Sequence, residues 1–298
     1  GLEQPREEFH FAILANKAPG GAGWAAVGAL SIQKRVGVVY LAEAIRKITD
    51  LRVGKIHKLL DTVFLFASLV GLYFLLRNWL VPVYSLIGVL YFSAVLPLTY
   101  FFQLFHPWDR LQLLIWIVLL YLILTGRYYW LVAALFLSIF VKFDTILAPF
   151  LYFMVHISRS RYRLVAQQTL GLIFIAVGAY MWVGYLFPAP LDNSRFTIDV
   201  AKAVLSENLV AFISMNVKYP PLLVHLLPGI LALMYMRSKD QFVVGSVVFA
   251  FGLTLIYALF TRYEEVRTHL IVLVLILPSA LISLKKLLES NCSFDSAR

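Results

Sequence analysis

The chain has 298 residues, of which 61% are hydrophobic and 14% charged, with a formal net charge of +10. A soluble domain carries about a quarter charged residues, so this composition excludes a water-soluble globular protein and implies a polytopic membrane protein. Loops of membrane proteins are basic anyway, no basic face on a soluble module points to nucleic acid, and the one cysteine, Cys292, excludes an internal disulfide or a Cys-based metal site.

Residues 1–58 do not read as membrane-spanning. They begin at Gly1 with no recognisable signal peptide, and a preceding segment, with a first membrane helix, is expected to be missing. The acids Glu3, Glu7 and Glu8 come first, followed by a small, glycine-rich stretch from Ala18 to Trp24. From about Ile32 to Asp50 the pattern is amphipathic. Glu43, Arg46, Lys47 and Asp50 fall on one helical face, and Val38, Leu41, Ala42, Ile45 and Ile48 on the other. Such a helix lies either in the membrane interface or on the surface of the bundle.

The rest of the chain holds about nine apolar segments, against the ~20 residues that a spanning helix needs. They are Leu59–Leu76, Trp79–Phe102, Leu111–Thr125, Tyr128–Val141, Ile146–Ile157, Leu164–Phe187, Pro221–Met236, Phe242–Phe260 and His269–Leu284. The third to fifth are short for full crossings. The fold expected is therefore all-α, a transmembrane bundle of about nine spans over residues 59–286. An exoplasmic or interfacial region (1–58) precedes it and a cytoplasmic tail (287–298) follows.

With nine spans, the basic connections fall on one side: Arg77, Arg127, Arg159 to Arg163, Arg237 with Lys239, and Lys285 with Lys286. The positive-inside rule makes that side cytoplasmic. The opposite, exoplasmic side then receives the N-terminal region, His106–Arg110, Lys142–Asp144, the loop 188–219 and Thr261–His269, with most of the acids and histidines. Any polar chemistry is expected there.

Three clusters are candidates. His106, Asp109 and Arg110 sit between two long apolar runs. Asp109 is either a base or ligand beside a phosphate-binding cation, or a cap on the helix that follows. Lys142 and Asp144 lie between short apolar segments, where charge is costly and suggests function, with a plain loop ion pair as the alternative. Arg262, Glu264, Glu265, Arg267 and His269 form the densest run; if helical, Glu264 pairs with Arg267 and Glu265 with His269, and a solvated loop is the alternative. Walker A, G-x-G-x-x-G, H-E-x-x-H and G-x-S-x-G sequences are absent, which removes support for an ATP-driven pump, a zinc protease or a lipase.

The order of these features resembles the GT-C superfamily of polytopic glycosyltransferases, which use polyprenyl-phosphate-linked sugars, and its bacterial members in particular. The amphipathic stretch Val36–Ile48 is similar to the interfacial helices of their first exoplasmic loop. Thr125-Gly126-Arg127, a short apolar run and then Lys142-Phe143-Asp144 resembles their short helices ending in a basic-acidic turn. Glu265-Val266-Arg267 ahead of a run containing Pro278 is similar to a late E-x-R segment. The resemblance implies sugar transfer on the exoplasmic face of a bacterial inner membrane, with a lipid-linked sugar as donor and a divalent metal as one way to neutralise the departing phosphate. It implies Asp109, Asp144 or Glu264 as the catalytic carboxylate. His106, Arg110, Lys142, Arg262, Glu265, Arg267 and His269 would bind substrate. The family's key acid lies in the first exoplasmic loop, for which Glu7 and Glu8 are the nearest stand-ins.

Two rivals stand beside it. A transporter or lipid flippase would account for short, polar-flanked segments but would place its site near the bilayer midplane. A non-catalytic membrane subunit is the third reading.

Overall fold

The computed structural model describes residues 3–15, 36–97, 108–157, 162–187, 202–210, 221–260 and 266–295. All regular structure among them is helical, with no strand. Four helices are long and apolar enough to cross a membrane: Val53–Leu76, Tyr162–Leu186, Gln241–Leu259 and His269–Ser290. Pro82–Val95, Tyr128–Ile139 and Phe143–His156 are apolar but shorter. At 1.5 Å per residue a 14-residue helix covers about 21 Å, short of the ~30 Å hydrocarbon core. The described helices thus support a multi-pass integral membrane protein with four candidate spans.

The chain divides into two compact units. The first comprises residues 1–68, 104–149 and 163–193, and the second residues 69–103, 150–162 and 194–298. In the first, α1 (Glu3–Leu14) packs on α2 (Gly37–Thr49), and α3 (Val53–Leu76, its residues 69–76 in the other unit) begins after three intervening residues. α2 stops where Asp50 turns left-handed at φ 51° and returns its N–H to the Arg46 carbonyl. Arg52 then starts α3, its carbonyl accepting the N–H groups of Lys55 and Ile56.

Next in this unit, after α4 (Pro82–Val95) of the second, come α5 (Asp109–Thr125) and α6 (Tyr128–Ile139), which pack as a hairpin. Gly126, at φ 67°, makes the turn between them, a conformation that favours glycine. A 3-10 turn, Phe143–Leu147, follows α6. The core gathers Ile13, Val38, Val39, Ala42, Ile56, Leu60, Trp108 and Val141. α8 (Tyr162–Leu186) adds Ala179 and Val183 against Ile139, and its Trp182 stacks on Phe136 at 5.6 Å.

In lipid, water exclusion no longer drives helix association, so close packing and internal hydrogen bonds matter more. Gly37 shows both. Its N–H donates to the Phe140 carbonyl at 2.8 Å, and a Cβ there would sit 3.1 Å from that oxygen. The start of α2 is thereby held against the backbone two residues before Lys142.

The second unit contains α4 (Pro82–Val95), α7 (Ala148–His156, its first two residues in the other unit), α9 (Pro221–Leu233), α10 (Gln241–Phe260) and α11 (Val266–Asp295). α9, α10 and α4 all pack on α11. Asp240 caps α10 by accepting the Val243 N–H at 2.9 Å, and it also accepts the Trp79 indole N–H. Lys239 secures the end of α9. Its ammonium lies 3.0 and 2.6 Å from the Ala232 and Met234 carbonyls, and 2.7 and 2.9 Å from the Ser279 and Ser283 hydroxyls of α11. Burial, with Lys286 nearby, brings this lysine down to about 8.

Several boundaries differ from those expected. The first apolar segment begins as helix at Val53, six residues before Leu59, so that α3 also takes in His57. Asp109 is the first residue of α5; Trp108 holds the cap position and no side chain caps the helix. The apolar face of α2 is divided: Val38 and Ala42 are buried, while Leu41 and Ile48 are exposed. A periodic pattern identifies an apolar face but not how much of it the rest of the chain covers.

Gly37→Val would drive methyl groups into the Phe140 carbonyl. Thermal unfolding in detergent should show a loss of about 1–3 kcal/mol, whereas an unchanged midpoint would mean that this approach can relax.

Candidate functional site

The polar groups of the first unit form two clusters. The first is built on α5 and the 3-10 turn after α6. Asp109 and Gln112 stand one turn apart on α5, and the extended backbone at Lys142 leads into the turn that carries Asp144. Lys142 Nζ lies 4.0 Å from Asp109 Oδ1 and 3.8 Å from Asp144 Oδ2. It donates to Gln112 Oε1 at 2.8 Å, and the Gln112 amide donates in turn to Asp144. One cation is thus shared by two carboxylates, and a buried amide holds two of the three groups. Ser138, donating to the Leu135 carbonyl and hydrogen-bonded to Thr145 at 2.7 Å, fixes the turn from below.

The second cluster joins α1, α2 and α3. Arg6 reaches Asp61 of α3 at 3.5 Å and the Gly54 carbonyl at 3.5 Å. Asp61 also feels the charges of Arg110 and Asp109, which links the two clusters electrostatically. Further along α1, His10 is fully buried and lies between Glu43, at 3.1 Å from its Nε2, and His57, at 3.3 Å from its Nδ1. Arg46 closes the row with two hydrogen bonds to Glu43, at 2.8 and 2.7 Å.

The hydrogen bonds of this row run in one direction. The two bonds from Arg46, then the one from His10, hold Glu43 down at about 2, so it is ionised and only accepts. Burial lowers His10 more than Glu43 raises it, so His10 is neutral near pH 7 and donates through Nε2. Its Nδ1 then carries a lone pair and accepts from Nε2–H of His57. The contact with Glu43 is accordingly a hydrogen bond from a neutral imidazole and becomes an ion pair only on protonation.

Of the residues expected at a site, Asp109, Lys142 and Asp144 come together directly, and Arg110, which follows Asp109 in α5, is buried. His106, Arg262, Glu264 and Glu265 lie outside the described residues. Arg267 falls in the first turn of α11, and His269 lies further along it, half-buried, with its ring edge-on to Tyr257 at 6.2 Å; both belong to the second unit. Glu7 and Glu8, the stand-ins for a first-loop acid, are on α1, the helix whose Arg6 and His10 reach Asp61 and His57 of α3.

Gln112, His10, Glu43 and His57 were not anticipated. Gln112 looks like a single polar residue in an apolar run; that it lies three residues after Asp109, one helical turn away, was the available signal. His10 and His57 are 47 residues apart, and no local pattern connects them. Among the described residues, no group of three or more His, Cys, Asp and Glu is arranged to hold a metal ion.

No family model matches the chain, nor does any curated protein or any solved structure.

The His10 row makes stability depend on pH. Folding keeps His10 below its ordinary 6.5, so the unfolded chain binds the extra proton first and stability falls as pH drops below about 6.5. The melting midpoint of the wild type should decline from pH 8 to pH 5, and His10→Gln should flatten that slope. An equal slope in both proteins would remove His10 as its source.

Proposed function

We propose that this chain is a membrane glycosyltransferase of the GT-C kind, crossing the bilayer about nine times. It would transfer sugar from a polyprenyl-phosphate-linked donor to an acceptor on the exoplasmic face of a bacterial inner membrane. The observation that carries this reading is Lys142 held between Asp109 and Asp144, with Arg110 and Arg6 in the same unit. Sugar transfer from a lipid phosphate needs these two kinds of group. Phosphate is already a good leaving group, so a cation to receive its charge matters more than a strong acid.

In this mechanism the acceptor oxygen bonds to the anomeric carbon as the carbon–oxygen bond to phosphate breaks. The bonding pair leaves with the phosphate, and Lys142, with Arg110, offsets its charge. The acceptor's proton passes to one of the two carboxylates. Gln112 positions Lys142 and Asp144 relative to each other, so that substrate meets groups already in place.

One observation favours the second reading. Asp61 lies within α3, a candidate span, where an ionisable residue marks a transport or proton path by default. A transporter or flippase would use Asp61 and Arg6 as a charge pair near one end of that span.

Purified protein supplied with labelled polyprenyl-phosphate sugars separates the two. Asp109→Asn or Asp144→Asn, still folded, should reduce transfer by about 100- to 10,000-fold, and the one that does so identifies the base. Lys142→Met should reduce it as well. If no donor is consumed and lipid or solute crosses liposomes in a manner abolished by Asp61→Asn, the enzyme reading fails and the transporter stands.

A further inference from the structure

The elbow between α2 and α3 carries a charge pattern that neither cluster uses. Lys47, Arg52, Lys55 and Lys58 are all exposed, with Asp50 as the one acid among them. Among the described residues, none of the four forms an ion pair. Like charges gathered this closely raise each other's energy unless something negative faces them.

Two apolar stripes show what faces them. Along α3, Leu59, Val63, Phe66, Val70 and Phe74 are exposed at helical spacing, with Phe66 at 69%. They run along about 22 Å of the helix axis, a length that fits inside the ~30 Å hydrocarbon region. Lys55 continues the same stripe one turn above Leu59, about 6 Å toward the helix start, which is headgroup depth. On α2, Tyr40, Ala44 and Ile48 form a second exposed stripe, Ile48 being 83% exposed, and the exposed Leu51 follows in the elbow. Both stripes run toward the elbow, and the four cations stand in the sequence on either side of it.

We propose that this elbow is a docking surface for anionic glycerophospholipids. Ile48 and Leu51 enter the boundary between headgroups and acyl chains, and Lys47, Arg52, Lys55 and Lys58 bind lipid phosphates. The surface is independent of the glycosyltransferase reading, since it needs only that α3 spans the bilayer. Its partner is the bulk anionic lipid of the leaflet, and polyprenyl phosphate is a separate outcome of the test.

The full chain, carrying Ile48→Cys labelled with an environment-sensitive fluorophore and Cys292→Ser, is placed in phosphatidylcholine nanodiscs. Brominated phosphatidylglycerol or brominated phosphatidylcholine is then titrated in as quencher. Phosphatidylglycerol should reach half-maximal quenching at a mole fraction about tenfold lower. That preference should shrink between about 0.1 M and about 1 M salt, as the Debye length falls from about 10 Å to about 3 Å. Replacing all four cations by Gln should abolish it, while Lys47→Arg, Lys55→Arg and Lys58→Arg together should retain it. Equal quenching by the two lipids, or none by either, overturns the proposal. So does displacement of phosphatidylglycerol by trace polyprenyl phosphate, which would make the elbow a donor-lipid site.

Discussion

Placing Lys142 next to an apolar hairpin sets the terms for the rest of the first unit. A lone ammonium in such surroundings is costly, and that cost falls only when negative groups meet it at short range. Asp109 and Asp144 do so at 4.0 and 3.8 Å, from different elements. For that meeting to hold, α5 and the turn after α6 must keep a fixed relation. Gly126 supplies the tight reversal, Ser138 and Thr145 pin the turn, and Gly37 fastens α2 to the backbone just ahead of the lysine. The small residues at these points are what allow polar groups to come within reach.

The same logic accounts for α1 and α2. A short, weakly apolar α1 has little to hold it on propensity alone. It is tied by Arg6 to Asp61 and Gly54, and by His10 to Glu43 and His57, with Ile13 in the core. Buried polar groups of this kind are stable only when satisfied together. The direction of the row, from His57 through His10 to an ionised Glu43 anchored by Arg46, gives each of those nitrogen contacts a donor and an acceptor. It also places titratable groups where three helices converge, which makes the attachment of α1 sensitive to protonation.

The second unit meets a related demand differently. Where α9 ends, its last carbonyls have no helical partners. Lys239 and two serines of α11 satisfy them, on the same helix whose interior contains Pro278. A cation at a helix C-terminus is favoured by the helix dipole. Here it also joins two helices in surroundings apolar enough to bring the lysine down to about 8.

Sequence alone determined the class of this protein. Long apolar runs leave few alternatives to helices in a bilayer, because every backbone group must be satisfied within its own segment. It also singled out Asp109, Lys142 and Asp144, since charges interrupting such runs are conspicuous. Only the tertiary structure decided that these three share one site, that Gln112 completes it, and that His10 reaches His57 across 47 residues. Helical periodicity reports which residues lie on one face of one helix, but contacts between helices depend on turns, close approaches and register, which no local pattern encodes. For the same reason the apolar face of α2 was legible as a face, and its division into a buried half and an exposed half, ending at Ile48, was not.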